Sequence, residues 1–172
     1  MVNGQRKREQ KGKGEIEGEW TRNPSAAMQE GELAMITGGC RCGEIEYSCA
    51  KPPSYVGNCH CLDCQKFTGA PFVNWATFKR GDFALTQGQP KEVSCTQGVH
   101  RGFCGDCGTQ LYWRKDDQPV WIDITVGSLD NPLPYEPQGE AFVSRKLPWV
   151  RLNDALPHYQ LAPFEPGVRG DD

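Results

Sequence analysis

From Gly38 onward, apolar and polar side chains alternate over short runs, each closed by glycine, proline or a small polar residue. Glu44-Ile45-Glu46-Tyr47-Ser48-Cys49 has the period of two expected of a half-buried strand, and Pro52-Pro53 ends it. Residues 54–58 predict a second strand, and residues 72–78, rich in aromatic and β-branched side chains, a central one. Further strands are predicted at 83–86, 93–96, 99–103, 110–114 and 120–126. Turns fall at Arg80-Gly81-Asp82, at 87–90 and at 115–119. Gln97-Gly98 is expected to close a hairpin that delivers Cys104. The helical period is confined to Gln65-Lys66-Phe67-Thr68-Gly69, room for about one turn before the glycine stops it. Evenly spaced short strands with turn signals predict a mainly β fold, sandwich- or barrel-like, with little helix.

The flanks read differently. Residues 1–34 hold six Lys or Arg against six Asp or Glu, and their sparse apolar residues follow no period. Such a segment cannot offset its ordering entropy, so it is expected to be a solvated, disordered extension. A nucleic-acid arm is the weaker reading of its basic cluster. The ordered domain proper is expected over 35–164, with 165–172 a frayed tail. The closing segment carries prolines at 132, 134, 137, 148, 157, 163 and 166 and predicts an extended strap, with Phe142, Trp149 and Leu152 as its anchors. A net charge of −3 gives no general attraction to nucleic acid or to an anionic membrane. No apolar run reaches bilayer length, and the polar N-terminus has no h-region or cleavage site. A cytoplasmic, thiol-reducing location is therefore expected, where nine cysteines are better explained by metal than by disulfides.

Seven of the nine cysteines are clustered: Cys40-Arg41-Cys42, then Cys59-His60-Cys61-Leu62-Asp63-Cys64, then Cys104-Gly105-Asp106-Cys107. A zinc–sulfur bond of about 2.3 Å requires thiolates to converge on a small tetrahedron, and glycine-rich knuckles make that convergence possible. Seven divides naturally into a closed set of four and an open set of three. Cys40 and Cys42 with Cys104 and Cys107 would staple the first strand to a late hairpin. Cys59, Cys61 and Cys64 can close on one ion by themselves, with one tetrahedral position left for water or substrate. Spacing alone leaves a single zinc or another pairing open, and no spacing demands an iron–sulfur cluster. His60, flanked by presumed ligands, should face away from the metal, in an outer-shell or exposed role. Cys49 and Cys95 read as small buried side chains, and Asp63 as a polar turn residue.

Several of these stretches together resemble the glutathione-dependent formaldehyde-activating enzyme family, which includes centromere-protein-V-like members. They are Met35-Ile36-Thr37-Gly38-Gly39-Cys40-Arg41-Cys42-Gly43, the run from Cys59 to Gly69, and Phe103-Cys104-Gly105-Asp106-Cys107-Gly108-Thr109. Val126-Gly127-Ser128-Leu129-Asp130-Asn131-Pro132 and Lys146-Leu147-Pro148-Trp149 extend the resemblance toward Tyr159. It implies an Mss4-like fold with two zinc ions. One is structural, on Cys40, Cys42, Cys104 and Cys107; the other is catalytic, on Cys59, Cys61 and Cys64. It also implies a carbon–sulfur lyase that joins glutathione to formaldehyde. Where many members carry a His-Ile pair, this chain has Glu140-Ala141.

Glutathione has two carboxylates, and Lys66, Arg101, Arg145 and Lys146 are the cations placed to meet them, each with the plainer reading of a surface charge. No residue stands out as a general base. Two other classes stay open: a zinc-stabilised binding module without catalysis, and a nucleic-acid or cytoskeletal binder of the centromere-protein-V-like kind.

Overall fold

The computed structural model describes residues 35–163. The extension expected over 1–34 and the tail expected over 165–172 lie outside the described residues. Among the described residues, ten strands form two sheets, accompanied by one short α-helix. The small sheet is antiparallel: β1 (Ile36–Gly39), β2 (Glu46–Cys49) and β5 (Phe83–Gln87), with β2 in the middle. The large sheet has seven strands. These are β3 (Tyr55–Cys59), β4 (Val73–Lys79), β6 (Lys91–Val93), β7 (Val99–Phe103), β8 (Gln110–Lys115), β9 (Trp121–Thr125) and β10 (Glu140–Ala141). Their order across the sheet is β10-β3-β4-β9-β8-β7-β6, antiparallel except that β10 runs parallel to β3. The fold is mainly β, as the alternation implies. Among the described residues, no helix is long and apolar enough to cross a membrane.

The period of two separates the large sheet's faces. One face sends Val56, Ala76, Phe78, Ile122 and Ile124 toward Tyr47 and Cys49 of the small sheet and Ile45 just before β2, and this is the main core. The opposite face carries Cys59, Trp75 and Trp113, packed with Cys61 and Cys64 around a second, smaller cluster. Cys49 is fully buried in the first core, and burial pushes its thiol up to about 12.

Three local expectations need correction. The strand before Gln97-Gly98 is β6 and ends at Val93, so Cys95 lies exposed in the connecting loop instead of buried in a hairpin. The helix α1 spans Leu62–Thr68, longer than the single turn expected, because Cys61 serves as its N-cap and accepts from the Cys64 N–H. Gly69 ends it at φ 69°, a left-handed conformation that favours glycine. Trp149 does not anchor the closing strap: it is 67% exposed, and Val150 is buried instead. A turn closed by Val150 N–H donating to the Leu147 carbonyl leaves Pro148 and Trp149 at its tip. Phe142 and Leu152 are half-buried. The strap itself pairs with β3 through β10, and residues 157–161 return along the other side of β10.

Candidate metal centres and the adjoining cavity

The first cluster sits between two knuckles of the same construction. Between β1 and β2, Gly43 N–H donates to the Cys40 carbonyl and Cys40 N–H to the Ile45 carbonyl. Between β7 and β8, Gly108 N–H donates to the Cys104 carbonyl and Cys104 N–H to the Thr109 carbonyl. Gly43 and Gly108 both have φ 76°, which a side chain at either position would strain. Arg41 N–H donates to Thr109 Oγ1 at 3.0 Å and ties one knuckle to the other.

Each knuckle contributes two sulfurs, and those of Cys40, Cys42, Cys104 and Cys107 all lie within 4.8 Å of one another. The Cys40–Cys42 and Cys42–Cys104 separations are 3.4 and 3.7 Å. A tetrahedral zinc with bonds of about 2.3 Å would set sulfurs about 3.8 Å apart, so the set fits such an ion. Ile45 N–H already points at Cys40 Sγ, 3.2 Å away. Burial resists ionisation at Cys107, but bonds to Thr109 outweigh it and bring the thiol to about 6.

The second cluster forms where β3 gives way to α1. Cys59 is the last residue of β3, Cys61 caps the helix and Cys64 lies in its first turn. Their three sulfurs also fall within 4.8 Å of one another. Hydrogen bonds from Cys59 and Cys64 pull Cys61 far below the usual thiol value, while the same bond pushes Cys59 well above it. At Cys64 the bond with Cys59 favours ionisation, but the bond with Cys61 and burial prevail and raise it to about 11. Three thiols this close concentrate negative charge on one sulfur, and a cation is what lets all three ionise together. All nine cysteines are free thiols.

Arg101 was expected on the surface and is instead 4% exposed. Its Nη2 donates to the Asp63 carboxylate and lies 3.9 Å from Cys64 Sγ, while the guanidinium covers the Phe67 ring at 4.8 Å. Burial alone would weaken its charge, but Asp63 and Cys64 together more than compensate and raise its pKa. Its Nη1 is buried without a hydrogen-bond partner. Asp63 is thus the carboxylate that fixes this arginine. Sequence reasoning missed the pair because 38 residues separate its members.

His60 faces away from the thiols, as the alternation implies, but its surroundings were not foreseen. It is 1% exposed, and its Nε2 is 2.8 Å from Glu140 Oε2. Glu140 also accepts from Asn58 Nδ2. The residue in the departing Glu140-Ala141 pair is therefore the partner of the histidine between two cluster cysteines.

A cavity of about 560 Å³ opens on the three-thiol side. Its walls come from alternate residues of adjacent strands: Tyr55, Gly57 and Cys59; Trp75 and Thr77; Trp121 and Asp123; Trp113 and Lys115; Val99 and Arg101. Of the four cations expected near a substrate, only Arg101 lines it; Lys66, Arg145 and Lys146 lie elsewhere. The result is a mainly β domain with four convergent thiols on one side and three beside a cavity, two clusters that could each hold a metal ion.

The glutathione-dependent formaldehyde-activating enzyme family model matches residues 35–145, and the chain belongs to that family. A search of curated proteins returns no significant match. Among solved structures, a Rhodobacter sphaeroides protein is similar, with 16% identity and a TM-score of 0.45; the match covers 72% of this chain and 98% of that one.

Proposed function

We propose that the chain is a zinc-dependent enzyme of the carbon–sulfur lyase type, working in the cytosol, that adds a thiol to a small aldehyde. The family's description supplies glutathione and formaldehyde as reference substrates. The observation that carries the reading is the inequality of the clusters: four sulfurs at one, three at the other, and the cavity at the three. Cys40, Cys42, Cys104 and Cys107 hold a closed, structural zinc. Cys59, Cys61 and Cys64 hold the second ion. That ion, when bound, supplies a position where an incoming sulfur is kept as thiolate at neutral pH.

The remaining work falls to the protein's own groups. The new carbon–sulfur bond forms as the carbonyl π pair moves to oxygen, and the thiol's proton ends on that oxygen. Arg101, whose Nη2 lies 3.9 Å from Cys64 Sγ, supplies positive charge toward the oxygen as negative charge gathers there, and Asp63 holds the guanidinium in place. Trp75 and Trp113 limit water around the reacting atoms.

The test is formation of the hydroxymethyl thioether of glutathione from labelled formaldehyde, followed by magnetisation exchange, together with zinc content per chain. Acceleration over the spontaneous reaction, near two zincs in the wild type, and loss of both acceleration and one zinc in Cys61→Ser support the proposal. A single inert zinc with no thiol binding would favour the non-catalytic module.

A further inference from the structure

We infer that the three-thiol site serves a thiol whose arm is apolar, of ring size and without a carboxylate, in preference to glutathione. This rests on the reading of that site as an open thiol-binding metal position. The walls are set by Trp75, Trp113, Trp121, Phe142, Val99 and Val120, three of them indoles on neighbouring strands of one sheet face. Aromatic walls reward a flat apolar group far more than a hydrated charged one.

The charges on the lining point the same way. Its two cations, Arg101 and Lys115, face three carboxylates, Asp63, Asp117 and Asp123. Arg101 is bound to Asp63, and Lys115 Nζ to Asp117 at 2.5 Å. Asp123 accepts from the Thr77 hydroxyl. Three thiolates around a doubly charged ion add a further negative charge. A ligand with two carboxylates would therefore meet a negative wall whose cations are already engaged, and would give up hydration for little return. The guanidinium of Arg101, with Nη2 3.9 Å from Cys64 Sγ, is thus the positive charge beside the thiols, and it is already held by Asp63.

The experiment is calorimetric titration of the zinc-loaded full chain with benzyl mercaptan, 4-(mercaptomethyl)benzoate, glutathione and benzyl alcohol. Benzyl mercaptan is expected to bind at least tenfold more tightly than glutathione, and the added carboxylate to cost most of that advantage. Trp113→Ala should close the gap by weakening benzyl mercaptan about tenfold while glutathione changes less than twofold. Val120→Arg, at a position 54% exposed and so independent of core packing, should narrow it from the other side by improving glutathione. Glutathione binding as tightly as benzyl mercaptan overturns the inference and leaves the open metal position standing. Benzyl alcohol binding as tightly as benzyl mercaptan removes the metal–thiol reading instead. That outcome also overturns the inference, which concerns a thiol at that position.

Discussion

Replacing Arg101 by methionine keeps the unbranched stem and removes only the guanidinium. Three contacts go with it: the bond to Asp63, the approach to Cys64 Sγ at 3.9 Å and the cover over Phe67 at 4.8 Å. Asp63 is about half exposed, so its carboxylate returns to water, and the net loss there is about 1 kcal/mol. The cation–π contact contributes about 0.5–1 kcal/mol more. Methionine is easier to bury than a guanidinium, which offsets part of this, leaving a cost of about 1–2 kcal/mol. For a domain of this size that is a fall in Tm of roughly 3–8 °C. The larger effect should be on metal. Arg101 is an outer-shell group to the three-thiol cluster, and losing such a group weakens metal binding about 10- to 100-fold. Competition with a chromophoric chelator resolves two zinc populations; the weaker one should shift by that factor and the stronger one should not move. Arg101→Lys restores charge without the planar fork and should fall between the two. Unchanged release from the weaker site, or equal weakening of both, would refute the role assigned to this arginine.

Other outcomes follow from the same geometry. Cys104→Ser opens the cluster that joins the two sheets and should destabilise or unfold the domain in thermal melts, whereas Cys61→Ser should spare most of the stability and lose one zinc. The Glu92 carboxylate, lowered by Arg114 at 2.8–2.9 Å and by Tyr112, contributes stability above its unfolded pKa and loses it as pH falls through the folded one. Glu92→Gln should therefore lower stability by about 1 kcal/mol at pH 7, with the difference from wild type fading in paired urea melts as pH falls through the folded pKa. Val150→Ala should cost about 1–2 kcal/mol and Trp149→Ala under about 0.5 kcal/mol, the reverse of an anchoring role for the tryptophan.

Features encoded locally were legible before any coordinates. Alternation along 72–78 gave a strand that does lie inside the large sheet, and glycines beside cysteine pairs gave knuckles at Gly43 and Gly108. What stayed hidden depends on distant parts of the chain meeting. Asp63 reads as a turn residue until β7 brings Arg101 against it, and Glu140 reads as a departure until the parallel pairing of β10 with β3 sets it beside His60. The helix start was missed for another reason. A cysteine sulfur performs the capping job that hydroxyl and carboxylate oxygens usually perform, so the stop signal at Gly69 was visible and the start at Cys61 was not. Trp149 was misplaced because bulk and apolarity say nothing of which residue occupies the tip of a turn.

The two clusters are not independent, because one strand reaches both. Arg101 lies in β7 beside the three-thiol cluster, and Cys104 directly follows Phe103, the last residue of the same strand. An ion leaving the four-sulfur cluster would free the β7–β8 knuckle, and the register that aims the guanidinium depends on β7 remaining paired with β8. The reverse dependence is weaker. Cys59, Cys61 and Cys64 are carried by β3 and α1, which are also held by the five-residue pairing of β3 with β4 and by the helix's own capping bonds. An ion lost from the closed site should therefore disturb the open one, while an ion lost from the open site should leave the closed one intact. That asymmetry follows from covalent connection along a single five-residue strand.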